Sequence, residues 1–545
     1  MSRIVVIGGG IAGLAGAALL ARDGHEVELV EARSEVGGRV GSWEADGFRF
    51  DTGPSWYLMP EVFDHFFRLL GTTTDEQLRL VQLDPGYRVY AEGNPIPLDI
   101  AADVEETLAR AERIEPGSAK RLRRYLARAG ETYDMALRRF LYTTFRSLPR
   151  VFGPEVVRRT PRLIRLLLEP LGSLARRTVK DLRLRQVLGY PAVFLGSAPD
   201  LAPSMYSLMS HLDLVDGVRY PMGGFRGIID RIEALALAEG VTVRTGSPVA
   251  RILTSGGSAV GVELADGSTL SADVVVSAAD LHHTETKLLA ESERSYPESW
   301  WQHKVAGPSA LLVLLGVRGE IPQLEHHTLL FAQAWEENFA AIFGDQPKVP
   351  EVPSLYVCKP SGIDPSVAPD GHENLFVLVP LPADPLLGSG GVGGDGDARI
   401  EALADRVIRQ IAEWADIPDL ESRIVVRRTI GPADFVADLN SWRGTALGPA
   451  HTLKQSAFFR AGNASKKVKN LLYAGGSTIP GIGLPMCLIS AELLVKRLRH
   501  DTSTTPLPEP LESTGPRREA DAAAVRPAGE AAGASSSAPS AEAGA

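Results

Sequence analysis

Short apolar runs and a helical repeat of small residues alternate at the start of the chain. Ile4 to Ile7 form an apolar run of strand length, and a glycine-rich turn follows directly. Apolar residues then recur at helical spacing: Leu14, Ala17, Ala18 and Ala21. Gly24 ends this repeat, and a second apolar run at 27–30 leads into Glu31. The pattern predicts a buried strand, a tight turn, a helix and a second strand.

The turn carries the spacing Gly8-x-Gly10-x-x-Gly13. Gly8 permits the tight turn, Gly10 leaves room for a pyrophosphate, and Gly13 lets the helix lie close to its strand. The N–H groups at the start of the helix would then point at the phosphates. Glu31 stands 18 residues after Gly13, where its carboxylate can accept hydrogen bonds from both ribose hydroxyls. These residues predict a dinucleotide site.

A second glycine turn, Gly37-Gly38-Arg39, follows the acidic residue. A permissive turn that ends in a fixed cation suits a pyrophosphate held from its other side. A tightly bound flavin nucleotide is therefore favoured over a transient nicotinamide. The run from Gly8 to Arg39 resembles the flavoprotein superfamily of amine oxidases, carotenoid desaturases and GDP-dissociation inhibitors. The resemblance implies bound FAD, with Arg39 and Gly38 at its phosphates and Gly53 of "DTGP" among its contacts.

Two later segments complete the predicted cofactor domain. Residues 219–280 are expected to form a helix at 227–238, a strand at 241–244, a β-meander and a last strand at 273–278. The resemblance implies that the backbone of Val249 lies against adenine. Residues 470–498 predict a strand, a turn containing Gly475, and a helix from about Leu484 with Pro485 in its first turn. The N–H groups of Met486 and its neighbours would favour negative charge on reduced flavin.

The resemblance sharpens in three motifs: "FRFDTGPSWYLMPEVFDHFF", "YPMGGFRGIIDRI" and "YAGGSTIPGIGLPMCLISAELL". Together they resemble the bacterial phytoene desaturases of the carotenoid desaturase family over nearly all of residues 1–500. Amine oxidases commonly place Glu after the "YAG", where this chain has Gly476. Many carotenoid desaturases carry His where this chain has Ile479, which leaves the electron acceptor and the product open.

The fold class is therefore expected to be α/β. It combines a discontinuous Rossmann-like FAD domain, as in GDP-dissociation inhibitors and amine oxidases, with an α+β substrate domain and a helical membrane-facing subdomain. The boundaries are FAD segments at 1–80, 219–290 and 466–500, substrate segments at 81–135, 191–218 and 291–465, a basic helical region at 136–190, and a disordered tail at 501–545. The tail is predicted from its Ala, Pro, Ser and Gly content.

The composition of the chain limits the classes of binding partner and the cellular compartment that we expect. The formal net charge of −10 over 545 residues gives no general case for nucleic-acid binding. Only Cys358 and Cys487 are present, which fits a reducing cytoplasm and predicts two buried, unreactive thiols. The N-terminal apolar residues are read as strand β1 rather than a signal peptide. Apolar runs such as 309–317 have the length of buried strands and do not predict a bilayer span.

Residues 136–190 hold thirteen Arg and Lys against three acidic residues, with leucines interleaved. This composition predicts shallow binding to an anionic membrane surface, although a solvated helical face would show the same pattern. The family resemblance implies an apolar isoprenoid drawn from that membrane and an electron acceptor such as oxygen or quinone. We therefore expect a cytoplasmic protein bound peripherally to the cytoplasmic membrane.

The expected reaction is desaturation of phytoene towards neurosporene or lycopene, by hydride transfer to the flavin. The alternatives are a 3,4-desaturase, a C30 desaturase, a carotenoid oxidase, an amine oxidase, or a non-enzymatic lipid binder like the GDP-dissociation inhibitors. No catalytic base stands out, while Trp56, Tyr57 and Met59 are candidates for a tunnel wall or for core packing. The pairs His282-His283 and His326-His327 are treated as strand neighbours that point to opposite faces, so no metal site is predicted.

Overall fold

The computed structural model describes residues 1–151 and 160–513. Its strands are β1 Arg3–Ile7, β2 Glu26–Val30, β3 Ser42–Ala45, β4 Phe48–Asp51, β5 Leu80–Gln82, β6 Tyr87–Ala91, β7 Asn94–Ile100, β8 Arg219–Pro221, β9 Thr242–Arg244, β10 Val249–Ser255, β11 Ser258–Leu264, β12 Thr269–Ser271, β13 Val274–Ser277, β14 Ser309–Arg318, β15 His327–Phe331, β16 Leu355–Cys358, β17 His372–Leu381, β18 Ile424–Ile430 and β19 Leu471–Tyr473.

Its α-helices are α1 Ile11–Arg22, α2 Pro60–Leu69, α3 Thr74–Gln77, α4 Val104–Ile114, α5 Ser118–Ala136, α6 Leu148–Val151, α7 Thr160–Leu168, α8 Leu171–Thr178, α9 Leu182–Gly189, α10 Pro191–Phe194, α11 Met209–Leu214, α12 Arg226–Ala238, α13 Leu281–Lys287, α14 Glu298–Trp301, α15 Trp335–Phe343, α16 Ala398–Trp414, α17 Leu420–Arg423, α18 Pro432–Leu439 and α19 Leu484–Leu498. A π-helical turn spans Leu137–Leu141, and 3₁₀ turns at Ser204–Leu208 and Ala457–Phe459 adjoin the cavity described below.

A five-stranded parallel sheet, in the order β19-β13-β1-β2-β9, joins three distant parts of the chain. Its central strand β1 is apolar on both faces, as parallel strands covered on both sides must be. Ile4 and Val6 belong to the core shared with α1, α12 and α19. Val5 and Ile7 pack instead with the antiparallel sheet β10-β11-β12. The sheet is thus the middle layer of three.

A second sheet of seven strands, in the order β18-β14-β17-β16-β15-β6-β7, forms the other half of the molecule. Strand β14 is buried over nearly its whole length, and its side chains alternate between two cores. Leu311, Val313 and Leu315 pack with α16, whereas Ala310, Leu312 and Leu314 belong to the core on the opposite face. The apolar run at 309–317 is therefore a two-sided buried strand, as its length predicted.

The predicted elements at both later segments are confirmed within one or two residues. The helix expected at 227–238 is α12, the strands at 241–244 and 273–278 are β9 and β13, and the helix from about Leu484 is α19. None of the helices in the described ranges combines the length and the apolarity needed to cross a bilayer.

The prediction that disorder begins at residue 501 is wrong for 501–513. Leu507 and Leu511 are buried, and the N–H of Leu511 donates to the carbonyl of Leu69 on α2. The Lys496 ammonium donates to the carbonyl of Thr505 at 2.7 Å. Composition averaged over the whole tail conceals these contacts, because two leucines are enough to dock a short proline-rich segment. Residues 514–545 lie outside the described residues.

The described part of the basic region at 136–190 is largely helical, in the π turn and in α6 to α9, with irregular stretches such as 142–147 between them. Many of its arginines are paired with acids: Arg162 with Glu131, Arg165 and Arg177 with Glu169, Arg176 with Asp200 and Glu336, and Arg183 with Asp181. Glu131, Asp200 and Glu336 come from outside the region, so its surface is less positive than the composition suggests. Residues 152–159 lie outside the described residues.

Candidate nucleotide site and the adjoining apolar cavity

The carboxyl ends of four parallel strands meet at one edge of the five-stranded sheet. The residues that follow β1, β2, β13 and β19 are Gly8, Glu31, Ala278 and Ala474, and all four line one cavity. Ligands of open α/β sheets bind at this edge, where loops and helix N-termini converge. The sheet order therefore brings residues from both ends and the middle of the chain to one site.

The first turn has the steric properties that a phosphate cradle requires. Gly8 has φ +99°, and a Cβ on Gly13 would lie 1.9 Å from the Gly8 carbonyl oxygen. At Gly10 a Cβ would meet only the Gly38 Cα at 4.0 Å, so its free side faces the cavity. Gly10 also caps α1 without a side-chain hydrogen bond. The first N–H groups of this helix thus remain available to an anion.

Two charged residues flank the turn. Glu31 is buried, and its carboxylate accepts hydrogen bonds from the N–H groups of Gly9 at 2.6 Å and Arg33 at 2.9 Å. Arg39 donates to the Ala446 carbonyl at 2.8 Å and to the Ser441 hydroxyl at 3.0 Å. These bonds fix an anion and a cation on the cavity wall, one suited to ribose hydroxyls and the other to phosphates.

The structure brings almost all the predicted cofactor residues to this cavity. Its lining includes Gly8, Gly10, Glu31, Gly38, Arg39, Gly53, Val249, Gly475, Pro485 and Met486. Gly13 lies beneath the turn, where it touches Gly8. Helix α19 starts at the cavity, with Gly483 as its N-cap and Pro485 in its first turn. The positive end of this helix, 15 residues long, thus faces the cavity. The residues present fit an FAD cradle.

The same cavity continues into an apolar chamber, and the whole encloses about 810 Å³. Its wall is rich in aromatic and aliphatic side chains from the helices and from the seven-stranded sheet: Trp56, Met59, Tyr133, Phe140, Leu141, Phe145, Tyr190, Phe194, Met205, Met209, Leu312, Leu329, Phe331, Trp335, Phe339, Tyr356, Phe376 and Leu378. Trp56 and Met59 line the chamber, in agreement with the tunnel-wall alternative, whereas Tyr57 is buried in the core. This wall suits a long hydrocarbon.

His451 is a buried polar residue on the cavity wall that sequence analysis did not identify. Its Nε2 accepts a hydrogen bond from the N–H of Ile482 at 3.2 Å. Its Nδ1 lies 2.9 Å from the Tyr206 hydroxyl, which itself donates to Ser456. Burial holds the pKa of His451 well below its ordinary value. The neutral ring therefore supports the loop that leads into α19.

A second polar group missed by the sequence analysis lies behind the chamber. The hydroxyls of Tyr87 and Tyr190 donate to one oxygen of Asp213, at 3.1 and 2.7 Å. Burial raises the pKa of Asp213 to about 7. Tyr190 also lines the cavity. Nothing in the local sequence marks this group, since its members are more than 20 residues apart.

The treatment of the histidine pairs as strand neighbours is wrong. His282 and His283 lie in helix α13, and His326 precedes β15, which begins at His327. The rings of His326 and His327 are only 4.6 Å apart. Because His326 is outside the ladder, the alternation of faces does not separate them. One ring nitrogen of each histidine and the Cys358 sulfur lie within 4.8 Å of one another.

This fold and cavity define an FAD-binding oxidoreductase, and comparisons with known proteins agree. A family model described as flavin containing amine oxidoreductase matches residues 11–498. The structure of putrescine oxidase bound to putrescine superposes with a TM-score of 0.59 at 14% identity, covering 92% of this chain and 99% of that one. The chain belongs to the flavin-containing amine oxidoreductase family.

Its relatives indicate the branch of this family. A carotenoid 3,4-desaturase of Haloarcula japonica is 39% identical over 499 residues, covering 91% of this chain and 98% of the relative. A zeta-carotene-forming phytoene desaturase of Myxococcus xanthus is 35% identical over 499 residues, covering 91% and 93%. The predictions of FAD, of the α/β fold and of an oxidoreductase acting on CH–CH groups are thus confirmed.

Proposed function

We propose that the protein introduces C=C bonds into phytoene, towards neurosporene and lycopene, as an FAD-dependent carotenoid desaturase. The observation that carries this proposal is a single cavity that joins a nucleotide cradle to an apolar chamber rich in aromatic side chains. A polar amine would leave its charge unpaired among such side chains, so the wall favours a hydrocarbon over an amine substrate. The Myxococcus xanthus relative is a phytoene desaturase by name, which supports the same substrate.

The predicted residues would hold FAD in three groups. Gly8, Gly10, Gly38 and Arg39 would lie at the pyrophosphate, and Glu31 and Val249, which line the same cavity, would contact the ribose and adenine. Gly53 and Gly475 lie in turns of the same lining, and Pro485 and Met486 begin α19 there. When bound, FAD supplies the acceptor for the hydride that desaturation removes.

The chain itself positions the substrate and keeps water out. Aromatic side chains such as Trp56 and Phe331 confine an extended polyene, and the apolar wall excludes water from the reacting CH₂–CH₂ unit. The neighbouring double bond can spread the positive charge that develops as hydride leaves. A strong protein base is therefore not required for loss of the proton from the adjacent carbon.

A second candidate is 3,4-desaturation of an already conjugated carotenoid. The 39% identity to the Haloarcula japonica 3,4-desaturase favours it. Both reactions need an apolar cavity beside flavin and differ in the carotenoid that enters it. An experiment that distinguishes the two reactions must therefore vary the substrate rather than the cofactor.

Substrate delivery from a membrane follows from solubility. Transfer of about 40 carbons into water costs roughly 30 kcal/mol, at about 0.8 kcal/mol per CH₂. Phe458 and Phe459 are 48% and 51% exposed, and the ring of Phe458 contacts Phe145 on the cavity wall. The adjoining α7 exposes Ile164 and Leu168.

Helix α7 and the 457–459 turn flank one stretch of cavity wall. The hydroxyl and N–H of Ser204 bond to carbonyls at the end of α7, at Leu166 and Glu169. Tyr206, two residues further on, donates to Ser456 beside the exposed phenylalanines. We therefore assign these apolar groups, with the exposed Arg165 and Lys454, as the surface that meets anionic lipid on the cytoplasmic side, where oxygen or a quinone would reoxidise the flavin.

The test uses purified full-length protein reconstituted with FAD and given phytoene-loaded anionic liposomes, under air or with a quinone. We expect coloured polyenes from phytoene, resolved by chromatography, and none from a Gly10→Ala protein that retains no FAD. Parallel liposomes loaded with lycopene report 3,4-desaturation. Turnover of lycopene alone selects the second candidate, and turnover of neither carotenoid overturns both.

A further inference from the structure

Three buried side chains with metal-binding atoms meet beneath the floor of the apolar chamber. His327 opens strand β15 and stands directly opposite Cys358 in the ladder with β16. Opposed residues of a ladder project from the same face. His326 precedes β15 and turns its ring onto that of His327, and the ligand atoms of all three residues lie within 4.8 Å of one another. They are 6%, 0% and 4% exposed, in chain order.

The ring of His327 has one hydrogen-bonded nitrogen and one nitrogen without a partner, as metal-binding histidines have. Its Nδ1 lies 2.7 Å from the Tyr356 hydroxyl, which is also 2.7 Å from the Ser55 hydroxyl. The tautomer that donates from Nδ1 to Tyr356 leaves a bare lone pair on Nε2. This nitrogen is buried and has no hydrogen-bond partner in the described chain. A hydrogen bond on one ring nitrogen that orients the other for a ligand is the usual outer-shell arrangement of metal-binding histidine.

His326 carries the strongest indication. Neither of its ring nitrogens has a hydrogen-bond partner among residues 1–151 and 160–513, although both are buried. Leaving a buried polar atom unsatisfied costs about 1–3 kcal/mol, so an orphaned imidazole indicates a ligand.

Room for a further ligand lies beside Cys358. A separate small cavity of about 20 Å³ is lined by Cys358 together with Asp51, Ser55 and Tyr220, on a side of the sulfur that neither histidine lines. This volume admits one water-sized group. Three protein ligands and one small exogenous ligand make up a four-coordinate site.

We propose that His326, His327 and Cys358 bind one borderline-soft transition-metal ion, Zn²⁺ or copper. Two imidazoles and a thiolate suit these ions, whereas Mg²⁺ and Ca²⁺ require oxygen ligands. Bonds of about 2.0–2.3 Å place the ligands of a tetrahedral site roughly 3.3–3.8 Å apart. A side-chain adjustment of about 1 Å therefore closes the site around the ion.

Binding exchanges a proton for the metal. Cys358 is a buried free cysteine, so its thiol gives up a proton when the sulfur binds a metal as thiolate. The S–H bond breaks, the sulfur–metal bond forms, and one proton leaves to solvent. No electron is transferred.

The site would stiffen the chamber floor. The indole of Trp56 stacks on the His327 ring at 4.3 Å with an interplanar angle of 8°, and Trp56 lines the chamber. A metal that joins His326 and His327 to Cys358 would lock β15 to β16 and hold Trp56 in place. The inference does not depend on which carotenoid enters.

The experiment measures metal in full-length protein purified without a metal-affinity tag. Protein is incubated with Zn²⁺ or Cu²⁺, cleared of loose ions by gel filtration, and analysed by elemental mass spectrometry. We expect about one ion per chain, falling by about tenfold or more in Cys358→Ser and His326→Gln. Matched controls, Cys487→Ser and His372→Gln, should keep the ion.

Co²⁺ substitution guards against variants that fail to fold. In the wild-type protein a sulfur-to-cobalt absorption band is expected, because the thiolate is a ligand, and it should be insensitive to Cys487→Ser. Wild-type protein with less than about 0.1 ion per chain, or without the cobalt band, overturns the proposal. Equal metal content in the cluster variants and controls also overturns it. Neither result bears on carotenoid turnover, which is measured separately.

Discussion

Gly10 and Gly13 lie in one turn but are constrained by different neighbours. A methyl group on Gly13 would collide with the Gly8 carbonyl, whereas one on Gly10 would enter the cavity, where φ is −69° and any residue fits. We expect Gly10→Ala to keep or slightly raise apoprotein stability, within about 1 kcal/mol, and to lose bound FAD. Gly13→Ala should lose both FAD and about 1–3 kcal/mol of stability.

Urea unfolding of the apoproteins and flavin absorbance per chain measure these two effects separately. Gly10→Ala protein that retains a full complement of FAD would show that the turn does not face the pyrophosphate.

His451 allows a test of the loop that leads into α19. His451→Ala removes the acceptor of the Ile482 N–H, and a buried unsatisfied donor costs about 1–3 kcal/mol. Tyr206→Phe serves as the comparison because it keeps the acceptor of the Ile482 N–H and removes the hydroxyl partner of Nδ1 instead. We expect a lower melting temperature and lower turnover in His451→Ala and smaller changes in Tyr206→Phe.

The same residue predicts a feature of the pH profile. Because burial keeps the pKa of His451 well below its ordinary value, turnover should show no inflection near pH 6.5 that disappears in His451→Ala. Such an inflection would mean that the ring titrates and does more than support the loop.

At the scale of elements, the segment 501–513 depends on a histidine of α2. His65 bonds to Glu492 of α19 at 2.9 Å and to Glu509. Burial alone would lower the pKa of His65, but these two carboxylates raise it above its ordinary value. Folding stability from this group is therefore complete below about pH 6.5, the unfolded value, and is lost as pH rises through the higher folded pKa.

We expect His65→Gln to destabilise the protein by about 1–2 kcal/mol at pH 6 and by less at pH 9, since hydrogen bonds to charged groups contribute about 1.5–3 kcal/mol. Thermal unfolding of the two proteins across this range measures the difference. A gap that widens with pH would have the wrong sign and would exclude the charged His65 pair as the cause.

At the scale of the whole molecule, the proposed binding of a protein of net charge −10 to anionic lipid would require a local basic surface. The proposed surface holds Arg165 and Lys454 as well as the exposed Phe458 and Phe459, and each cation near an anionic surface contributes about 1 kcal/mol. We expect binding to anionic vesicles to fall several-fold between about 0.05 and 0.5 M salt, because the Debye length shrinks well below about 10 Å.

The apolar part of this surface has its own test. Phe458→Ser with Phe459→Ser should weaken vesicle binding by about tenfold or more, given about 1.5–3 kcal/mol for each phenylalanine that becomes buried. Leu237→Ser on α12, where Leu237 is 53% exposed, is the control and should bind normally. Vesicle flotation measures the binding of each variant. Equal binding by the double variant and the Leu237→Ser control would show that the lipid contact lies elsewhere.

The local pattern of the sequence determined the nucleotide cradle and most of the elements around it. Gly8, Gly10 and Gly13 obey constraints set by one strand, one turn and one helix, so their spacing alone carries the information. The two-sided apolar run of β14 likewise reflects burial on both faces. Family resemblance then placed Val249 and Met486, whose positions at the cavity depend on strands far away in sequence.

Only the tertiary structure showed which residues from distant segments contact one another. The His326–His327–Cys358 cluster arises because β15 pairs with β16, and the Asp213 group and His451 meet their partners across more than 20 residues. The partners of the basic region, Glu131, Asp200 and Glu336, and the docking of Leu511 against α2 are also long-range contacts. Composition and periodicity average over neighbours in sequence, whereas burial and pairing depend on neighbours in space.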